Sequence, residues 1–329
     1  MQQNATVISF DNANNWVILS PIELSIKKKI ETVGVPLKDW DINIYRGILT
    51  GYNDAFIIST EKRNEILANC LTEDERQRTK ELIRPILRGR DIKRYGYDWA
   101  NLWIIATFPA RKYDIEKYPA VKQYLLSFAE EDLREAGYDW VADNYLSDFC
   151  FQKLAQTGQY VVIQGKRIRL SSKDEKSRKR TSNKWFETQD SISYWDDFSQ
   201  PKIVYPNMTK FLPFVFDDNG YLTNQKCFII TGKNIAFLAA FLNSSLFKYC
   251  FKNNFPQLLD ETRELSKVFF EKISILEVSD GIEKQFCKIV KDIQLEYADD
   301  KAVKIDQIIF DLYNLTDEEK AAIGYIEIQ

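Results

Sequence analysis

With 329 residues, 45% of them hydrophobic and 14% aromatic, the chain can bury a large core, which excludes a disordered protein; its size suits two or three domains. The 45 Lys and Arg against 48 Asp and Glu leave a formal net charge of −3, so no overall cation excess advertises a polyanionic partner. Histidine is absent, which excludes a Ser-His-Asp triad and the commonest zinc ligand, and the five cysteines, at 70, 150, 227, 250 and 287, form no C-x-x-C pair and read as buried thiols of a reducing compartment.

The start, MQQNATVISF, lacks the basic stretch and apolar core of a signal peptide, and a cytoplasmic protein is expected. Apolar spacing predicts a helix over 16–33, begun near Ser20 and Pro21 and stopped by Gly34. From 41 to 59 the period drops to two, giving two strands on either side of a turn at Thr50 and Gly51. Thr72 and Glu75 have capping-box spacing at the head of a short helix, with Pro85 as its stop. NLWIIATFP (101–109) reads as a buried strand, 118–137 as a helix, and YVVIQGKRIRL (160–170) as a hairpin with an unusual turn pair, Gln164 and Gly165. Residues 202–206, 212–216 and 226–232 are strands, the last two joined as a hairpin through Asp218, Asn219 and Gly220. An apolar helix is expected over 234–251; Asn243, Ser244, Ser245 and Lys248 interrupt it, so it reads as buried in protein and not as a membrane span. Helices over 281–297 and 301–314 and a capping box from Thr316 to Glu319 close the chain. The expected class is α+β: a mixed β-sheet domain over 41–275, a helical lead-in over 1–40 and a C-terminal helical segment over 276–329.

Catalytic signatures are missing. There is no G-x-x-x-x-G-K-[ST], no G-x-G-x-x-G and no G-x-S-x-G. In RGILTGYNDAFIIS (46–59) a strand follows the glycines, whereas a phosphate cradle needs backbone amides leading into a helix N-terminus. The acid pairs Asp196 and Asp197, Asp217 and Asp218, and Asp260 and Glu261 have no lysine at evident catalytic spacing, and read as solvated. No Asn/Asp-Pro-Pro-Tyr/Phe loop of an amino-methyltransferase is present. What stands out is the charge distribution: 166–184 holds nine Lys and Arg against two acids, and 84–94 holds five against one. A near-neutral total can hide a basic face.

Taken in order, IYRGILTGYNDAFIIS, IRPILRGRDIKRY, KWFETQ, PKIVYPNMT, DDNGYLTNQKCFIITG, FLAAFLNSSLFKYCF and IDQIIFDLYNLTDEEK resemble the C-terminal target-recognition domain of TaqI-like and type IIG restriction–modification proteins, from about residue 16 onward. The resemblance implies a module that clamps double-stranded DNA and reads base edges. It implies no catalysis in this chain and an adenine methyltransferase module, in cis or in trans, that carries the S-adenosylmethionine and extracts the base. No cofactor, metal or membrane is expected of this chain itself. A protein-interaction scaffold and a DNA-modifying enzyme with an unrecognised site are the alternatives.

On that reading several residues are candidates for DNA contact. Thr50 and Asn53 donate to DNA or to a partner domain, or they belong to a structural hairpin. Arg88, Arg90 and Arg94 contact phosphates or form a buried ion-pair network; Arg90 with Asp91 leans to structure, and Lys93 and Arg94 to DNA. The basic run supplies Lys166, Arg167, Arg169, Lys173, Lys176, Arg178, Lys179, Arg180 and Lys184, beside Trp185, Phe186, Tyr194 and Trp195. Asn207 and Lys210 follow a strand and reach the groove, or serve a turn.

Overall fold

The computed structural model describes residues 20–127, 137–155, 160–169, 181–251 and 255–325. Its class is α+β, and it divides into two compact units: one runs from the N-terminal helix to Ile42 and resumes at Ala236, the other spans Asn43–Ile235. Among the described residues no helix is long and apolar enough to cross a membrane.

The first unit is mostly helical. Helix Pro21–Val33 starts where its sequence says: Ser20 Oγ accepts the Glu23 N–H, Glu23 returns a carboxylate oxygen to the Ser20 N–H, and proline stands at the first position. It buries Ile26 and Ile30, four residues apart on one face, and ends before Gly34. Val35–Pro36 then pairs antiparallel with Ser274–Ile275.

The apolar stretch expected as one helix over 234–251 is two, Ile235–Leu242 and Ser245–Phe251. The cause is local. Asn243 Nδ2 donates back to the Ala239 carbonyl and Ser244 Oγ to the Phe241 carbonyl, and Ser244 Oγ then accepts the Phe247 N–H as cap of the second helix. Helix Asp299–Leu312 completes the break, because its buried Asp306 accepts from both the N–H and the hydroxyl of Ser245. Helix Asp280–Leu295 caps the other end: Glu283 accepts the N–H groups of Ala236 and Phe237 at 2.8 and 2.9 Å.

Helix Asp317–Ile323 carries the second expected capping box, Thr316 with Glu319. Glu319 also takes a hydrogen bond from Ser25 and an ion pair from Lys29 at 2.6 Å, fastening this helix to Pro21–Val33. Burial works against the Glu319 charge, yet Lys29, Ser25 and the Thr316 N–H together hold its carboxyl below the ordinary value. A depressed carboxyl contributes stability that is present above the unfolded value, about 4.3, and lost as pH falls through the lower folded value. Glu319→Gln is expected to cost about 1–3 kcal/mol at pH 7 and to remove that acid-dependent component. Denaturant unfolding at pH 7 and at pH 3 checks both; an unchanged acid dependence would refute the assignment.

The second unit is built on two four-stranded sheets. Its principal strands are β1 (Ile42–Arg46), β2 (Ile57–Ser59), β3 (Ile83–Leu87), β4 (Leu102–Ile105), β5 (Tyr160–Ile163), β6 (Lys166–Arg169), β7 (Lys202–Pro206), β8 (Val215–Asp217), β9 (Leu222–Thr223) and β10 (Cys227–Gly232). One sheet has the order β8-β7-β10-β1 and the other β9-β3-β4-β2. β7, buried along its whole length, runs antiparallel to β8 and β10. In the other sheet β4 is antiparallel to β2 and β3, while β9 joins β3 in parallel, so the sheet is mixed. Ile48, Ile86, Ile104, Val204, Val215 and Ile229 form a core common to both sheets. Phe56, Ile66, Leu82, Val121 and Leu125 form a second, and Val141, Phe149, Cys150, Ile163 and Ile168 a smaller third.

Several expectations change here. The strands on either side of Thr50 and Gly51 are not a hairpin: β1 and β2 belong to different sheets, and a helical turn, Asn53–Phe56, stands between them. Nor do Asp218, Asn219 and Gly220 join β8 to β10. β8 pairs with β7, and the chain visits the other sheet as β9 before returning as β10. Helix Glu73–Leu82 ends ahead of Pro85, which lies inside β3 at a point where β9, paired only from Ile86 onward, does not call on its missing N–H. Half of the expected box at Thr72 forms. Thr72 accepts the Glu75 N–H, but the buried Glu75 carboxylate accepts from Leu71 and from Ala120, at the start of helix Pro119–Ser127. The remainder of the helix expected over 118–137 falls largely on residues outside the described ones.

Asp217, expected as a solvated acid, is wholly buried, and a lysine does stand across from it. Lys202 is its register partner on β7, with Nζ 2.5 Å from Asp217 Oδ2. Both side chains are 0% exposed, which makes the pair a structural feature closed to any substrate.

Candidate functional site

Three strand termini meet at one end of the first sheet. The Gly47 N–H, just past β1, donates to the Cys227 carbonyl at 2.8 Å, and the Ile48 N–H to the Thr223 carbonyl at 2.7 Å. The Asn207 N–H, just past β7, donates to the Lys226 carbonyl at 2.8 Å, and Arg46 Nε to the Gln225 carbonyl at 3.2 Å. The turn after β3 arrives at the same place, with Gly89 packed against the backbone of Lys226 and the ring of Pro206. Tyr194 braces the group. Its ring stacks on Tyr45 at 4.3 Å and its hydroxyl donates to the Arg46 carbonyl at 2.7 Å. Burial, then the nearby Asp190 carboxylate, push the Tyr194 pKa up to about 12, so it stays a neutral donor.

The two acids at this end are already engaged, Asp190 by the Leu49 N–H and Asp91 by Arg88, and the strand termini themselves carry cations. Segments 46–50, 88–90, 206–210 and 223–227 contain Arg46, Arg88, Arg90, Lys210 and Lys226 and no acidic residue. Arg46, Arg90, Lys210 and Lys226 are exposed. Such an end offers donors and positive potential to a polyanion. Thiol chemistry has no support here: burial lifts the Cys227 thiol far above its usual pKa. Among the described residues no group of three or more His, Cys, Asp or Glu is placed to hold a metal ion.

The sequence candidates are distributed unevenly over this frame. Thr50 is fully buried, its hydroxyl donating to Asn53 Oδ1 at 2.7 Å and accepting the Tyr52 N–H, so it serves the turn and offers no surface to a duplex. Asn53 is exposed. The partner of Asp91 is Arg88, not Arg90: the Arg88 guanidinium forks onto both carboxylate oxygens at 2.8–3.2 Å, and Asp91 also takes the Arg88 N–H. Arg88 is thus first a brace of the turn that leaves Arg90 exposed. Lys93 pairs with Asp98 on an exposed two-strand corner, and the Arg94 guanidinium lies 5.4 Å from the Tyr95 ring. Asn207, half-buried, and Lys210, exposed, follow β7. Lys184 is exposed in a turn where its own N–H donates to Glu187.

Lys166, Arg167 and Arg169 lie elsewhere, on β6 of a two-stranded ribbon over the small third core. Gln164 and Gly165 sit at φ +50° and +75°, the two left-handed positions of a two-residue turn whose twist suits a hairpin, which accounts for the unusual pair. Lys173, Lys176, Arg178, Lys179 and Arg180 lie outside the described residues.

The sequence reading leaves Arg46 and Lys226 unselected and leans Arg90 toward a pair with Asp91. Arg46 precedes a glycine that lets β1 approach residues 223–227, and Lys226 opens β10. The available signal was the pattern of a cation beside a strand end next to Gly or Gln.

The sequence matches the family model described as "TaqI-like C-terminal specificity domain" over residues 84–275. No curated protein matches it. Among solved structures, the chain is similar to the type IIG restriction endonuclease BpuSI, at 12% identity and a TM-score of 0.49, covering 89% of this chain and 33% of that one. It is also similar to the type IIL restriction–modification enzyme MmeI, solved in complex with DNA, at 11% identity and a TM-score of 0.46, covering 88% and 36%. The chain thus spans about a third of the length of either.

Proposed function

Because the chain belongs to the family of TaqI-like C-terminal specificity domains, we propose that it recognises a sequence in double-stranded DNA on behalf of a restriction–modification or phage-defence system. In this reading it performs no chemistry of its own. An adenine methyltransferase module, in cis or in trans, binds S-adenosylmethionine and acts on the base, with or without a nuclease module. The observation that carries the reading, beside the family, is the sheet end on which Arg46 and Lys226 are set by hydrogen bonds between strand termini, with Arg90 exposed on the turn that Arg88 and Asp91 brace. Preorganised cations suit phosphate contact, because their positions are set before the duplex arrives.

The test is equilibrium binding of the full chain to duplex DNA across a range of salt. Affinity should fall log-linearly with salt, by a slope of about 0.9 per neutralised phosphate. Arg46→Ala and Lys226→Ala should each weaken binding to every duplex alike and reduce that slope by about 1, without altering sequence preference. An affinity for duplex DNA that is independent of salt, or absent at low salt, would refute the reading.

A further inference from the structure

The β5–β6 ribbon has one face committed and one open. Val161, Ile163 and Ile168 point toward the small core containing Val141, Phe149 and Cys150. Cross-strand register puts Tyr160 opposite Arg169 and Val162 opposite Arg167, so these four share the other face. All four are exposed, Val162 at 62% and Tyr160 at 47%. The Arg167 guanidinium lies 3.2 Å from the centroid of the Tyr160 ring, which fixes the plane it presents. The ribbon is anchored besides by its packed face. Gln164 Oε1 at the tip accepts the Ala142 N–H, and Lys166 lies over the Trp140 ring at 4.1 Å.

We infer that this ribbon enters the major groove of DNA and reads base edges with Arg167 and Arg169, with Val162, opposite Arg167 on the neighbouring strand, supplying an apolar contact. The inference rests on the proposed function and names the part of the chain that gives it specificity. Charge selects the occupant: residues 160–169 hold three cations and no acid. Shape selects the groove. Two strands about 4.8 Å apart with their side chains fit a groove about 12 Å wide, whereas the minor groove, about 6 Å wide, does not admit them. The chemistry of the open face suits it too. A guanidinium held in one plane can meet guanine O6 and N7 with two parallel hydrogen bonds, and an exposed valine can meet a thymine methyl. A solvated surface strand has no need of an exposed valine beside a guanidinium already stacked on a ring.

The experiment selects bound duplexes from a randomised pool with the full wild-type chain, then compares Arg167→Ala and Arg169→Ala on the winning duplex and on a scrambled one. These side chains are exposed, and unchanged thermal unfolding confirms that each variant is folded. Each variant should lower the preference for the winning site by about 5- to 150-fold while its binding to scrambled duplex changes little. Replacing the contacted guanine with 7-deazaguanine should penalise the wild type and not the corresponding variant. If the wild type selects a site and both variants keep the full preference, the ribbon faces something else, such as another protein module, and the inference falls while the proposed function stands. If the variants weaken binding to all duplexes equally, with a lower salt slope, the arginines meet phosphates and base reading is again refuted. If the wild-type chain binds no duplex, both readings fail together.

Discussion

Asp217→Ala is expected to cost about 3–5 kcal/mol, a large part of what holds a domain of this size folded. The mutation removes the counter-charge of an ammonium with no exposed surface. Lys202 Nζ would keep its bond to the Phe198 carbonyl at 2.7 Å but lose the carboxylate at 2.5 Å. Burial already pulls the Lys202 pKa below its ordinary value, with the Asp217 charge opposing it. The same carboxylate accepts the N–H groups of Asn219 and Tyr221, both at 3.0 Å, so alanine also strips the turn that sends the chain from β8 to β9. Lys202→Met should cost less, because those two donors still satisfy the carboxylate in part. The double variant should lose less than the sum of the two, since the penalty of each single change is the unpaired partner it leaves behind. Urea unfolding of the four proteins measures this. A loss under about 1 kcal/mol for Asp217→Ala would show that the pair does not hold the sheet as described.

The second large effect is expected from Gly47→Ala, at about 3 kcal/mol or more. The obstacle is space and not backbone conformation. A Cβ at this position would stand 2.1 Å from the Asn224 carbonyl oxygen and 2.7 Å from both its carbonyl carbon and Thr223 Oγ1. Backbone cannot rotate out of the way as a flexible side-chain end can, so β1 must separate from residues 223–227. The hydrogen bonds from Gly47 to Cys227 and from Ile48 to Thr223 would go with it. Because Arg46 and Lys226 are positioned by those bonds, duplex binding should fall together with stability, and by more than Arg46→Ala alone produces. A variant with wild-type unfolding midpoint and affinity would disprove the close approach.

The parts of this protein that were legible in its residues are those whose physics is local. Ser20 with Glu23 and Thr316 with Glu319 start helices because a side chain and an amide three residues apart meet whatever surrounds them. The ribbon 160–169 follows from alternation on both sides of a turn that its two residues can adopt. The helix division at Asn243 and Ser244 was visible as an interruption, but its outcome depended on Asp306 reaching Ser245 from another helix. Thr50, open in the sequence between DNA contact and a structural turn, is settled for a similar reason. A threonine in a glycine turn can face outward or inward, and only packing decides.

Residue order by itself determined the α+β class, most helix starts, the ribbon, the absence of familiar catalytic motifs and the concentration of cations in two segments. It did so through periodicity, capping and charge, all short-range along the chain. Tertiary structure alone decided that Lys202 meets Asp217 and that Arg46 joins a carbonyl 179 residues away beside Lys226. Those pairings depend on which strands become neighbours. That is settled by burial of whole sheet faces, a property of the folded chain that no short stretch of it contains.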